Sequence, residues 1–127
     1  MTIQPHDNRW DGAVWKFLAR AYPHRDPRLL ESRWKWAYLQ SAARLSQPPA
    51  VWLGTEGERV VAHHALIRVR LQVGSRQLSS GYFVDTMVEP SHRDQALGPQ
   101  LLLRGDLDQP LGLSLGQVAN KIGRAHV

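Results

Sequence analysis

The chain has 127 residues, 43% of them hydrophobic and 21% charged, with a formal net charge of +5 and no cysteine. That length suits one domain with a real core, and the mixture is globular rather than disordered. It excludes a disulfide frame, thiolate chemistry and a zinc–thiolate site; no apolar run nears the roughly 20 residues that span a bilayer, and "MTIQPHDNRW" lacks the basic-then-apolar pattern of a secretion signal. A soluble cytoplasmic protein is expected.

Residues 1–49 read as helical. "NRWDGAVWKFLARAYP" sets Trp10, Val14, Phe17, Leu18 and Ala21 at helical spacing, with Asp7 or Asn8 as cap and Pro23 past the end. "DPRLLESRWKWAYLQSAARL" follows, with Asp26 as N-cap and Pro27 at the first helical position. Leu30, Trp34, Tyr38 or Ala37, and Leu45 form its apolar stripe, and Gln47-Pro48-Pro49 ends it. Trp34 and Trp36 cannot both face the core of a regular helix, so one of them covers a cleft or a partner surface.

From residue 50 the pattern becomes β-like. Strands are expected near 50–54, 59–73 and 77–89, with turns at Glu56-Gly57 and Gly74-Ser75 and a kink around His63-His64. "ALIRVRLQV" alternates with the period of two of a half-buried strand. A helix from about Leu97 to Arg104 and a short strand in "PLGLSL" come next, and "GQVAN" opens a further element. Helices, an antiparallel meander, then strand–helix–strand make an α+β or mixed α/β plan.

The stretch "VDTMVEPSHRDQALGPQLLL", Val84 to Leu103, carries the clearest chemistry. A strand ends in Val-x-Pro, a polar loop carries Arg93, and a leucine-rich helix begins. This order resembles the acetyl-CoA site of the GNAT N-acetyltransferase superfamily. The usual pattern there is Arg/Gln-x-x-Gly-x-Gly/Ala; here it reads Arg93-Asp94-Gln95-Ala96-Leu97-Gly98. "RWKWAYLQS" looks like the segment that precedes the sheet in one bacterial branch, and the hairpins from Arg59 to Pro90 look like its strand meander. The resemblance covers roughly residues 28–120. A helix N-terminus suits the pyrophosphate of such a cofactor, because its free N–H groups and dipole attract an anion.

The resemblance implies an acyltransferase that moves an acetyl group from acetyl-CoA to a primary amine by direct attack. The Met87 and Val88 backbone would contact pantetheine and the acetyl group. Arg93, Asp94, Gln95, Ala96, Leu97, Gly98 and Pro99 would wrap the pyrophosphate. Two positions depart from the pattern. Asp94 sets a negative charge beside the diphosphate, and Ala96 replaces the first motif glycine, which its methyl tolerates only at negative φ. The acid for the leaving thiolate is often a Tyr on the helix after the fifth strand, which would begin near Asn120.

Asp85 sits in an apolar run, where an unpaired carboxylate is costly. It is the candidate base or substrate-binding group, or else a structural, hydrogen-bonded Asp. Asp85, Met87 and Glu89 fall on one side of the strand. The six histidines show no ligand spacing, and His63 and His64 point to opposite faces, so no metal site is expected. Two rival readings stand beside transfer. One is a non-catalytic CoA-binding or interaction module of the same fold. The other, ranked last, is a nucleic-acid-binding domain, because the arginines are scattered singly without interleaved aromatics on the strands. The amine acceptor and a homodimer stay open.

Ile122–Val127 spells what a common short-read sequencing adapter encodes in one frame. Lys121–Val127 therefore reads as a tail foreign to the domain, which is taken as residues 1–120. On this reading the natural chain continued, and its final helix and strands are missing here. The tail is expected to pack little, and the chain as written to be aggregation-prone. Without the tail's Lys121 and Arg124 the formal charge is +3, which weakens the basic signal.

Overall fold

The structure is a computed structural model that describes residues 1–108 and 113–116. The suspected tail and the element at "GQVAN" lie outside the described residues. Strand β1 (Thr2–Pro5) leads through a 3-10 turn (Asn8–Trp10) into α1 (Asp11–Ala21). A second 3-10 turn (Pro27–Leu29) opens α2 (Leu30–Trp34), which continues as a π-helical segment (Lys35–Gln40) and then α3 (Ser41–Arg44). Strands β2 (Ala50–Glu56), β3 (Arg59–Val73) and β4 (Arg76–Val88) form the meander. A 3-10 turn (Pro90–Gln95), α4 (Leu97–Asp108) and β5 (Leu113–Gly116) complete the order. The five strands make one sheet in sequence order, antiparallel up to β4 and parallel between β4 and β5.

The start signals act where the sequence sets them. Asp7 accepts a hydrogen bond from the Arg9 N–H, and Asp26 accepts one from the Arg28 N–H with Pro27 just behind it. One expectation is corrected. The first residues are not helical: Thr2–Pro5 pairs antiparallel with β2 as an edge strand, and Pro5 closes it at the edge, where its missing donor costs nothing.

The α2–α3 region also departs from a regular helix. Its π segment buries both Ala37 and Tyr38, where the sequence offered them as alternatives. A wider turn brings successive residues to one face. Trp34 is 1% exposed and Trp36 is 55% exposed, so the tryptophan pair splits between core and solvent.

The sheet separates two cores. On one face α1, α2 and the π segment pack Val14, Phe17, Leu18, Trp34 and Tyr38 onto Val51, Leu53, Val60 and Ala65. On the other, α4 lays Leu97 and Leu101 onto Ala50, Trp52, Val61 and Leu66. Full burial of a Leu or Phe contributes about 1.5–3 kcal/mol, so both layers hold the sheet.

Two irregularities shape the strands. β3 shifts register against β2 at Gly54/Thr55, and a Cβ on Gly54 would lie 2.9 Å from the Ala62 Cβ, so the close approach there requires glycine. Between β3 and β4, His63 pairs with Met87 and Ala65 with Val84. One residue, His64, thus opposes two, Asp85 and Thr86. That is a β-bulge, and Asp85 takes its left-handed position at φ 59°. The kink expected near His63-His64 is this bulge, seen from the neighbouring strand. No helix among the described residues is long and apolar enough to cross a membrane.

Candidate active site

Past the bulge, β4 runs to Val88 and the chain turns at Glu89-Pro90. Pro90 starts the 3-10 turn, where its missing N–H removes no helical bond. The Glu89 N–H bonds the Val61 carbonyl at 2.8 Å, and His92 Nε2 lies 2.7 Å from Glu56. These contacts pin the turn to β3 and to the end of β2. The turn ends on Ala96 at φ 54°, ψ 36°, the left-handed region. The condition under which a methyl is tolerated there is not met, which explains why glycine is the usual residue at this place in the motif. Asp and Asn visit this region readily; alanine does so at a cost of roughly 1–2 kcal/mol.

Leu97 then buries its side chain under the sheet and anchors the start of α4. The first main-chain bond of the helix runs from Gln100 N to Ala96 O at 3.3 Å. The first-turn N–H groups of Leu97 and Gly98 have no intrahelical acceptor, and Pro99 has no N–H. A Cβ built on Gly98 would meet no protein atom within 4 Å, so the protein's own packing does not require glycine there. Arg93 reaches back across the strand end, its Nε donating to the Val88 carbonyl at 3.1 Å with Nη2 3.6 Å from Met87 Sδ. Asp94 is exposed, and the Gln95 carbonyl accepts from Gln100 Nε2. A cavity of about 160 Å³ lies between Phe17, Arg20 and Ala21 of α1 and Met87, Val88 and Arg93.

Met87, Val88 and the run Arg93–Pro99 therefore line one corner, where β4 ends and α4 begins. Asp85 lies in the bulge just before them. Its carboxylate, with the side chain 1% exposed, accepts from Arg25 Nη2 at 2.7 Å, Arg33 Nη1 at 2.8 Å and the Tyr38 hydroxyl at 2.5 Å. Burial alone would raise its pKa. The hydrogen bonds from Arg25, Arg33 and Tyr38 outweigh that and hold it at about 2. Arg25 also lies 3.7 Å from the centre of the Tyr22 ring. Burial, reinforced by the Asp85 charge, pushes the Tyr22 hydroxyl up to about 12, and the same causes raise Tyr38.

Behind the bulge the two histidines part as their adjacency requires. His63 is fully buried on the α1–α2 face. Its Nε2 accepts from the Trp34 indole N–H at 3.1 Å, and its Nδ1 donates to the Asp85 carbonyl at 2.8 Å. That assigns the Nδ1–H tautomer, and burial lowers its pKa. His64 faces α4, pairs with the Thr86 hydroxyl at 2.8 Å and stacks on Trp52; burial lowers it to about 4. No group of three or more metal-ligating side chains occurs among the described residues.

Glu89, the carboxylate on the other side of Met87, is shared by Arg20 and Arg59, and the Arg59 hydrogen bond holds its pKa down. Both acidic residues next to Met87 are thus neutralised by paired arginines. The sequence reading missed Arg20, Arg25, Arg33, Arg59 and Tyr38. A carboxylate inside an apolar run was the signal that such partners exist, but nothing local named them.

No family model matches the chain, and no curated protein matches it. Solved structures do match. A GCN5-related N-acetyltransferase from Ralstonia eutropha JMP134 aligns with a TM-score of 0.66 at 17% identity, over 98% of this chain and 87% of that one. This is the GNAT fold. A predicted acetyltransferase from Clostridium acetobutylicum, solved with acetyl-CoA, gives 0.67 at 15% identity, over 98% of this chain and 84% of that one. Glucosamine-6-phosphate N-acetyltransferase from Arabidopsis thaliana gives 0.65 at 9% identity, over 98% and 88%. GNAT architecture is therefore carried here by a sequence far from those of these structures, with the helix-start loop at the end of β4.

Proposed function

We propose that this chain transfers an acetyl group from acetyl-CoA to a primary amine. The observation that carries the reading is the corner where the end of β4 meets the N-terminus of α4 with Gly98 open in front of it. A pyrophosphate can approach the Leu97 and Gly98 N–H groups without meeting a side chain there, and the helix dipole favours its charge. Arg93 is exposed at the same corner, and pairing of Asp85 and Glu89 with arginines removes their repulsion. Those residues fit a diphosphate, with the Asp94 carboxylate the one feature that works against it.

Acetyl-CoA, when bound, supplies the thioester whose acyl group passes to the amine nitrogen as CoA leaves as a thiol. The backbone of Met87 and Val88 would hold pantetheine and orient that acyl group. Asp85 would act by position rather than as a base. A carboxylate held at about 2 by three donors is a weak proton acceptor near neutrality. It fixes Arg25 and Arg33 and sets the bulge that aims the end of β4. The ammonium proton would leave to solvent through water.

The fully engaged Asp85, which is not free to act as a base, favours the rival reading, a CoA-binding module without transfer. An assay of thiol release from acetyl-CoA against a panel of primary amines separates the two. Amine-dependent release supports transfer. Tight acetyl-CoA binding with release no faster than the buffer control supports the module.

A further inference from the structure

A groove of about 780 Å³ lies away from Gly98, between α1 and the loop joining β2 to β3. Its helical wall is Arg9, Gly12, Ala13, Lys16 and Arg20. Gly12, Ala13, Lys16 and Arg20 follow the spacing of one face of α1 and form a single stripe, with Arg9 in the 3-10 turn just before it. Gly12 and Ala13 make the middle of that wall low, and a Cβ on Gly12 would meet no atom within 4 Å. The opposite wall is Glu58, Arg59 and Val60.

The lining holds Arg9, Lys16, Arg20 and Arg59 against the single carboxylate of Glu58. Arg20 and Arg59 share Glu89 behind the groove, two cations on one anion. Arg9 meets Asp7 only at 3.4 Å, and both side chains are mostly exposed. Lys16 has no ion-pair or hydrogen-bond partner among the described residues. Trp10 also lines the groove.

We propose that this groove binds an extended acidic peptide segment, held by its row of cations. Extent argues against a lone small anion. From Gly12 to Arg20 α1 alone rises about 12 Å at 1.5 Å per residue, and the 3-10 turn that carries Arg9 extends the row, a span that a single carboxylate or phosphate cannot bridge. About five extended residues at roughly 3.3 Å each do bridge it. Nucleic acid is disfavoured by Glu58 in the wall and by the lack of a second aromatic in the lining on which successive bases would stack. This inference does not depend on acetyl transfer.

Fluorescence anisotropy with a labelled hexaglutamate peptide and the full chain tests it. Saturable binding is expected, weakened about fivefold or more by Lys16→Glu and by Arg9→Glu, since each turns an attraction into a repulsion. Arg70→Glu, the same charge change on an exposed part of β3, should leave binding within about twofold, because charges farther than roughly 10 Å are screened. In a nitrogen–proton spectrum, the indole resonance assigned by Trp10→Phe should move on titration. Circular dichroism of each variant reports that the fold is kept. No saturable binding, equal weakening by Arg70→Glu and Lys16→Glu, or an unmoved Trp10 resonance would overturn the proposal. Tighter binding of a deoxythymidylate hexamer would also overturn it and give the groove to nucleic acid.

Discussion

His63 Nδ1 lies 2.8 Å from the carbonyl oxygen of Asp85, so a buried imidazole on β3 holds the left-handed residue of the β4 bulge in place. The same Asp85 offers its carboxylate to Arg25 in the loop after α1 and to Arg33 and Tyr38 on the helical segments above. Main chain and side chain of one residue thus tie the sheet to the α1–α2 layer, immediately before the end of β4.

Asp85→Ala should cost about 2–4 kcal/mol. Removing one partner of a buried ion pair costs about 3–5 kcal/mol, and the partial exposure of Arg25 and Arg33, 25% and 40%, moderates it. Asp85→Asn should lose less, because asparagine tolerates the left-handed conformation and keeps one acceptor. Urea denaturation measures both. Losses within about 0.5 kcal/mol, the range of neutral surface substitutions, would mean that the cluster does not hold the fold.

Ala96→Gly should stabilise the chain by about 0.5–1 kcal/mol. The left-handed conformation costs alanine roughly 1–2 kcal/mol, and the greater freedom of unfolded glycine offsets about 0.4–1 of that. Thermal melts should show a rise of a few degrees, and Ala96→Val a fall. A lower melting temperature for Ala96→Gly would show that the turn does not need the left-handed residue found here.

Stability should fall as pH drops below about 6.5. His63 and His64 are both lowered by burial, His64 from 6.5 to about 4. In that interval the unfolded chain binds protons that the folded chain refuses. Their contribution is therefore fully present above pH 6.5 and is lost on acidification. At 1.36 kcal/mol per pKa unit, His64 alone accounts for on the order of 3 kcal/mol. Asp85, lowered to about 2, adds a second loss as pH falls from about 3.8 through 2. Urea midpoints from pH 8 to 2 follow both losses, and His64→Gln should flatten the slope between pH 6.5 and 4. A midpoint that stays constant from pH 7 to 4.5 would contradict the burial argument.

Gly54→Ala should cost about 1–3 kcal/mol, the usual penalty for overpacking. The added methyl would lie 2.9 Å from the Ala62 Cβ on the paired strand, where no flexible side chain can yield. Denaturation of this variant at neutral pH reports the cost, and wild-type stability would show that β2 and β3 separate there freely.

Where the information is local, the sequence carried it. The period of two over Ala65–Val73 marked β3, and Asp26-Pro27 marked a helix start. The Glu89-Pro90 break located the end of β4 and the loop to α4. What escaped depended on distant contacts or on shifts of one residue. Thr2–Pro5 is too short to show a period and becomes a strand only because β2 offers it an edge. The π segment reads as an ordinary helix until Ala37 and Tyr38 are both seen buried. The Asp85 bulge inserts one residue that alternation cannot register. Val84 and Met87 consequently both pack on the α1–α2 core. The arginines that meet Asp85 lie 60 and 52 residues away in sequence, so no spacing rule could join them.

Titration calorimetry with acetyl-CoA tests the central claim most directly. The wild-type chain should bind, and Gly98→Glu should abolish binding by setting bulk and negative charge before the α4 N-terminus. Gly98→Ala should bind far better than Gly98→Glu, because its small methyl meets no protein atom within 4 Å. Equal affinity in wild type and Gly98→Glu, or no binding by the wild type, would contradict the reading of this corner as the cofactor site.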